Sequence, residues 1–206
     1  MTDIEHKFDV ILADPPWALG MNKAELRRNH YSTMSIDEIN GMSEAIKALT
    51  KPDGWCFLWV TNGTHRVGYE VLEAWGYTPR NTFTWCKVGG SSMGRYVRNR
   101  TEHLLIGTRG KVEPVFKNQA NFGIYSLQDH SHKPEEVFAV IERLCGAGAK
   151  GLELFARRRP SANNHMSWSV WGDEIASDIS LAEWDYRVPS DQLDIEPNSE
   201  IKKCEA

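Results

Sequence analysis

Four consecutive residues, Asp14-Pro15-Pro16-Trp17, close the apolar run "FDVILA" at 8–13. Their order limits what they can do. Proline has no N–H and stiffens the chain. The tetrapeptide therefore offers acceptors: the Asp14 carboxylate and the carbonyls of Asp14, Pro15 and Pro16. Trp17 adds a flat aromatic face. A planar ring bearing an NH₂ group suits that set, stacked on the indole with its amine hydrogens on the carboxylate and a carbonyl. Adenine is such a ring. Its exocyclic nitrogen is a poor nucleophile because its lone pair is delocalised. Acceptors off the ring plane would localise that pair and stabilise the positive charge growing on nitrogen as it attacks. Asp14 is then an electrostatic stabiliser and proton acceptor, not a covalent nucleophile. Much of the rate would come from holding an electrophile in line. The plain alternative is a Pro-rich turn with a packing tryptophan.

Such a set must be held by a scaffold. "FDVILA" reads as a strand buried on both faces. Ser35 and Glu38 form a capping box, which opens a helix with Ile36, Ile39, Met42 and Ile46 inward. Lys51-Pro52-Asp53-Gly54 is turn chemistry. Further strands are expected at "WCFLWVT" (55–61), "NTFTWCK" (81–87), "HLLIGT" (103–108) and "GLELFA" (151–156). Helices are expected at "THRVGYEVLEAW", stopped by Gly76, and at "KPEEVFAVIERLCG" (133–146), with Pro134 in its first turn and Gly146 at its end. Residues 88–99 read as a long surface loop, and "RRRPSANNHMSW" as a polar loop. Alternating strands and helices predict a three-layer α/β domain with a mostly parallel sheet. Ligands in such sheets lie beyond the carboxyl ends of strands, where strand order switches. Two strand ends are chemically loaded: Asp14 to Trp17, and Arg157 onward.

Composition narrows the class. The chain has 206 residues, 41% of them hydrophobic, which fits one globular core. No run of about 18 apolar residues exists, so no membrane span is expected. "TDIEHKFDV", after Met1, lacks the features of a secretory signal. Cys56, Cys86, Cys145 and Cys204 form no C-x-x-C pair and read as free thiols of a reducing compartment. A cytoplasmic location is expected, nuclear if the source is eukaryotic. His65, His103, His130 and His132 lack partners at metal-ligand spacing, so no metal is expected.

Net charge is −4 but unevenly spread. Residues 175–206 hold eight acids and three bases, and few apolar residues follow Val188. The expected division is one domain over 1–175 and an acidic extension over 176–206 whose end frays. Lys87 to Lys117 holds seven bases against two acids. That stretch is either a local polyanion contact or a solvated charged loop.

"ADPPW" resembles the catalytic motif of adenine amino-methyltransferases, specifically the MT-A70 family of mRNA adenosine methyltransferases and their bacterial and phage relatives. The likeness continues in "YSTMSIDEI", "FLWVTN", "AWGY", "TWCK", "RNRTEHLLIGTRG", "HSHKPEE", "LELFAR" and "WSVWGDE", in the family's order, over about residues 8–175. The resemblance implies a Rossmann-like fold that binds S-adenosylmethionine, with permuted motif order: catalytic loop first, cofactor strand late. It implies a catalytic loop of Asp14, Pro15, Pro16 and Trp17, with Asp14 also touching the cofactor. Tyr31 falls where the family closes a gate loop over the target base. Lys133 falls at the cofactor-carboxylate ligand, and a helix N-terminus there favours an anion as well. Arg157 falls at the cofactor ribose, and Asp173 and Glu174 at its adenosine end. One departure stands out: Phe155-Ala156-Arg157 replaces the glycine-rich turn of many methyltransferases.

The expected activity is methylation of the exocyclic amine of adenine in nucleic acid. DNA is favoured over RNA because the chain is compact and shows no RNA-binding extension. The target base must be flipped or single-stranded to reach Asp14. Arg95, Arg98 and Arg100 are expected to hold target-strand phosphates. The rival role for the 88–100 loop is a homodimer or heterodimer contact, as in the family. Two other classes stay open: a non-catalytic partner subunit of the same fold, and a small-molecule amine methyltransferase.

Overall fold

The structure, a computed structural model, describes residues 8–18, 33–89, 96–128, 132–161 and 165–186. The order of elements is β1 (Phe8–Ala13), α1 (Ile36–Gly41), α2 (Ser43–Leu49), β2 (Thr50–Val60), α3 (His65–Ala74), β3 (Thr78–Val88), β4 (Thr101–Arg109), β5 (Phe122–Ser126), α4 (Glu136–Cys145), β6 (Lys150–Leu154) and β7 (Ser167–Trp171), with a short 3₁₀ turn at Ala182–Trp184. Among the described residues one sheet of seven strands runs β5-β3-β4-β2-β1-β6-β7. β4 pairs antiparallel with both neighbours, and every other pairing is parallel. The mostly parallel α/β sheet expected from the sequence is therefore present.

Alternation along the strands builds two cores. Ile11 and Ala13 of β1 and Cys56, Leu58 and Val60 of β2 face one side, where Ile39, Met42, Ala45 and Ile46 of the α1–α2 region and Val71, Leu72 and Trp75 of the α3 region cover them. Val10, Leu12, Trp55, Phe57 and Trp59 face the other side, under Val137, Phe138, Val140 and Ile141 of α4. This explains why residues 10–13 of β1 and 55–60 of β2 read as unbroken apolar runs: each residue meets one of two cores. A Val, Leu, Ile or Phe buried in this way contributes roughly 1.5–3 kcal/mol. The Ser35–Glu38 capping box is formed. Ile39, Met42 and Ile46 are fully buried, and Ile36 is half-exposed.

Four boundaries differ from the sequence reading. The turn residues Lys51 to Gly54 lie inside β2, because pairing with β1 jumps from Phe8↔Thr50 to Val10↔Trp55 and leaves the intervening residues unpaired with β1. β6 stops at Leu154 because Phe155 turns out of the strand at φ 62°. β5 and β7 both extend the sheet where no strand was expected. β7 begins inside the supposed polar loop, its Ser-Trp alternation giving no continuous apolar run.

The topology places a cleft. From β1 the chain winds outward through β2, then returns to lay β6 on the opposite side of β1. The carboxyl ends of β1 and β6 therefore flank the point where strand order switches, the usual position of a ligand crevice in such sheets.

Candidate active site

Asp14 leaves the end of β1 and lines this cleft with Trp59, Lys133, Glu153, Phe155 and Arg157. The loop that follows is sewn down by its own backbone. The Pro15 carbonyl accepts from Trp17 N at 2.9 Å and the Pro16 carbonyl from Met34 N at 2.8 Å, while Ala18 N donates to Met34 O at 3.0 Å. Two of the three carbonyls counted as acceptors thus each spend one lone pair internally; a second remains on each. Trp17 is half-buried against the α1–α3 core. Its indole Nε1 donates to Trp59 O at 3.3 Å.

Lys133 reaches Asp14 from 119 residues away. It stands just before α4, beyond Pro134 and the cap residue Glu135. Its Nζ lies 2.5 Å from Asp14 Oδ2, 3.4 Å from Glu102 Oε2 and 5.5 Å from the Trp59 ring centre. Glu102, at the start of β4, also pairs with Lys87 of β3. The result is an alternating chain, Lys87–Glu102–Lys133–Asp14, whose members are 10–33% exposed at the side chain.

Burial raises the Asp14 carboxyl above its ordinary value, and Lys133 offsets this only in part. Burial also acts against the Glu102 charge, but Lys133 and Lys87 prevail and hold that carboxyl below its ordinary value. Lys133 is opposed by burial and raised by Asp14 and Glu102, so it stays an ammonium. Two acids thus share one lysine, and the doubly paired one is held more firmly ionised.

The second loaded strand end supplies the other wall. Gly172 makes the approach possible, since a Cβ there would fall 2.0 Å from the Ala156 carbonyl oxygen. Ala156 N in turn donates to Trp171 O at 2.9 Å. This contact carries Arg157 to the turn at Asp173 and Glu174. Its guanidinium pairs with Glu174: Nη2 donates to Oε2 at 3.1 Å, and Nε lies 3.0 Å from Oε1. Asp173 sits exposed in the same turn.

Of the sequence-predicted site residues, Asp14, Lys133 and Arg157 line one cleft, and Arg157 brings Glu174 to its edge. Arg98 and Arg100 are exposed on the segment entering β4. The Arg100 carbonyl accepts from Lys87 N at 2.8 Å, which ties that segment to the ion chain. Tyr31 and Arg95 lie outside the described residues. Among the described residues no group of His, Cys, Asp and Glu is arranged to hold a metal, and no helix is long and apolar enough to cross a membrane.

Sequence reasoning missed two acids. In the sequence Glu102 reads only as a minority charge in a basic stretch. Glu153 lies inside an apolar strand, where an acid between two leucines is itself the signal. Its Oε2 is buried without a hydrogen-bond partner. Burial, reinforced by Asp14 and Glu135, pushes its carboxyl up to about 8. Buried carboxyls are ordinarily hydrogen-bonded, so an unpartnered one lining the cleft marks this position as unusual.

The MT-A70 family profile matches residues 8–174. A putative N(6)-adenosine-methyltransferase MT-A70-like protein of Medicago truncatula is 33% identical over 181 residues, 84% of this chain and 27% of that protein. The N(6)-adenosine-methyltransferase catalytic subunit METTL3 of Homo sapiens is 30% identical over 177 residues, 82% of this chain and 28% of that protein. The type II methyltransferase M.MunI of a Mycoplasma species is 29% identical over 193 residues, 82% of this chain and 78% of that protein. The chain spans about a quarter of the length of the adenosine methyltransferases it matches.

Proposed function

This chain belongs to the MT-A70 family, and from that membership we propose that it methylates the exocyclic amine of adenine in nucleic acid with S-adenosylmethionine as donor. The observation that carries the proposal is the meeting of Asp14 and Lys133 at 2.5 Å, where the carboxyl end of β1 faces the start of α4. Sequence-distant groups of opposite charge converge there on a partly buried cleft with a spare carboxyl oxygen.

The cleft suits the donor. Lys133, at a helix start, would hold its carboxylate. Arg157, Glu174 and Asp173 would border its adenosine end, and the unpartnered Glu153 carboxyl would accept from ribose hydroxyls. Bound there, S-adenosylmethionine supplies an electrophilic methyl group. Asp14 keeps Oδ2 on Lys133 and turns Oδ1 to the target amine. A carbonyl of the Pro15-Pro16 loop takes the second amine hydrogen, and Trp17 borders the ring. As the amine took the methyl group, the donor's S–CH₃ bond would break and its sulfur leave as a neutral thioether, and the positive charge growing on nitrogen would lie beside the Asp14 carboxylate, which lowers the barrier. The displaced amine proton passes to Asp14 Oδ1.

Tyr31 would close over the base, and Arg95, Arg98 and Arg100 would take phosphates. DNA stands ahead of RNA because the type II methyltransferase is aligned over most of its own length. RNA is the second reading, favoured by the relatives named as adenosine methyltransferases. The test is transfer of tritiated methyl onto matched DNA and RNA oligonucleotides, with adenine replaced in a control. Transfer to DNA that vanishes without adenine is the expected result. Transfer to RNA alone reverses the polymer. Cofactor binding by calorimetry without transfer to either points to a partner subunit.

A further inference from the structure

The family match ends at residue 174, yet the chain beyond it enters the core. Leu181 is fully buried. It shares an apolar cluster with Trp17 and Met34, and Ile179, Trp184 and Tyr186 pack on the same cluster. One end of this segment folds back along the edge strand. Asp178 N donates to Val170 O at 2.8 Å, and Asp178 Oδ2 accepts from Val170 N at 2.9 Å. The same carboxylate grips Arg159 with two bonds, at 2.9 and 2.8 Å, and Arg159 also donates to Ala176 O at 3.0 Å. Arg159 lines the cleft beside Arg157.

The other end reaches the opposite wall. Tyr186 Oη donates to Glu38 O at 2.9 Å. It fits because Gly41 is bare: a Cβ there would lie 2.9 Å from that oxygen. Glu38 closes the capping box on Ser35, and the residue before Ser35 is Met34. Met34 pins the catalytic loop through Pro16 O and Ala18 N. A path of named contacts therefore runs from Tyr186 to the loop carrying Asp14.

We propose that residues 176–186 are a positioning strap of the active site: Asp178 sets Arg159 in the cofactor wall, and Tyr186 sets the Asp14–Trp17 loop through α1. The inference rests on the methyltransferase reading. It adds a segment outside the family match and divides its work between the two substrates. The bidentate Arg159–Asp178 geometry suits a positioning task, because a planar fork fixes direction as well as distance.

The experiment uses the full chain with two near-isosteric substitutions, Asp178→Asn and Tyr186→Phe. Cofactor affinity is read by calorimetry, kcat and KM on an adenine oligonucleotide, and stability by thermal melting. Asp178→Asn is expected to raise the cofactor Kd about tenfold, the size of one lost charge-assisted hydrogen bond, with oligonucleotide KM unchanged. Tyr186→Phe is expected to leave that Kd within about twofold and lower kcat about fivefold, the size of one lost neutral hydrogen bond. If Asp178→Asn does not fold, Arg159→Lys breaks the fork from its other side and is expected to give the same Kd rise. Variants that lower only the melting temperature overturn the strap, leaving it as packing. A wild-type chain that binds no S-adenosylmethionine overturns the methyltransferase reading instead. Wild-type binding with two silent variants overturns the strap alone.

Discussion

One aspartate lies just inside the amino end of β1 and another just past its carboxyl end, and each meets a lysine, but the two sites are built differently. Asp9 at the amino end holds Lys51 at 2.7 Å with one oxygen and Lys150 N at 2.9 Å with the other. Both of its oxygens are used locally, and Lys51 is 43% exposed. Asp14 at the carboxyl end uses Oδ2 on Lys133, which it shares with Glu102, in a site where that lysine is 21% exposed. The residue types are the same. The difference is completion: the amino-end pair closes on itself, whereas the carboxyl-end pair keeps an oxygen and a cleft for something else. A satisfied ion pair near the surface contributes little, about 0–1 kcal/mol. A partly committed one in a buried site is where chemistry can be done.

The sharpest way to break this comparison is to remove each aspartate in turn. Asp14→Ala is expected to lower kcat by roughly 10²–10³-fold, the usual cost of losing a transition-state electrostatic partner. Cofactor affinity should change far less. Asp9→Asn is expected to leave the rate within about twofold and cost at most about 1 kcal/mol in stability. Steady-state kinetics and urea melts on both variants decide it. Retention by Asp14→Ala of more than a tenth of the rate removes that residue from catalysis.

The lysines extend the test at a smaller scale. Lys133→Ala is expected to raise the cofactor Kd by about 10–100-fold, the worth of roughly 1.5–3 kcal/mol in a charged hydrogen bond. Nucleic-acid binding should persist. Lys51→Ala should leave the Kd unchanged. Equal Kd values for both variants, by titration calorimetry, would take Lys133 out of the site.

Much of this contrast could be read in advance, and the reasons are local. Asp14 announced itself because two prolines and a tryptophan beside an acid have few structural uses. The core was legible because β1 and β2 alternate between two apolar faces. β5 and β7 were not, because each has five residues and lacks a continuous apolar run. "FGIYS" even leaves Phe122 and Ile124 exposed. Phe155 at φ 62° was equally hidden, since a non-glycine residue carries no mark of a left-handed turn. Glu102 and Glu153 acquire meaning only from neighbours brought by the topology. No spacing along the chain encodes the meeting of Lys133 with Glu102, or the burial of Glu153 beside Asp14.

Glu153 offers a test that needs no assay of transfer. Its carboxyl titrates near 8 in the folded chain and in the ordinary carboxylate range when unfolded. Between those values the folded state binds the extra proton, so stability falls as pH rises through that window. Below the unfolded value both states are protonated and the effect is absent; above about 8 it is complete. Glu153→Gln removes it. The variant is expected to gain on wild type as pH rises from about 5 to 8, reaching on the order of a few kcal/mol. Parallel denaturant melts across that range would show two lines diverging. Lines that stay parallel would mean the carboxyl is solvated or paired, and the cleft would lose its spare acceptor.

The smallest expected effect concerns the basic segment, which itself spans both ends of the sheet. β4 runs against its neighbours, so Arg98 and Arg100 enter at the carboxyl end while Lys111 and Lys117 follow its exit at the amino end. If charge alone governed binding, both groups would serve a polyanion. If the carboxyl end is the working face, only the arginines matter. Phosphate contacts position a strand without reading it, so replacing Arg95, Arg98 and Arg100 with alanine should weaken every oligonucleotide about equally. It should also flatten the slope of log affinity against log salt by roughly 0.7–0.9 per lost contact. Replacing Lys111 and Lys117 should leave that slope as it is. The rival is a subunit contact through the 88–100 loop. Under it the arginine triple changes mass in sedimentation while its salt slope matches wild type, and the phosphate role falls.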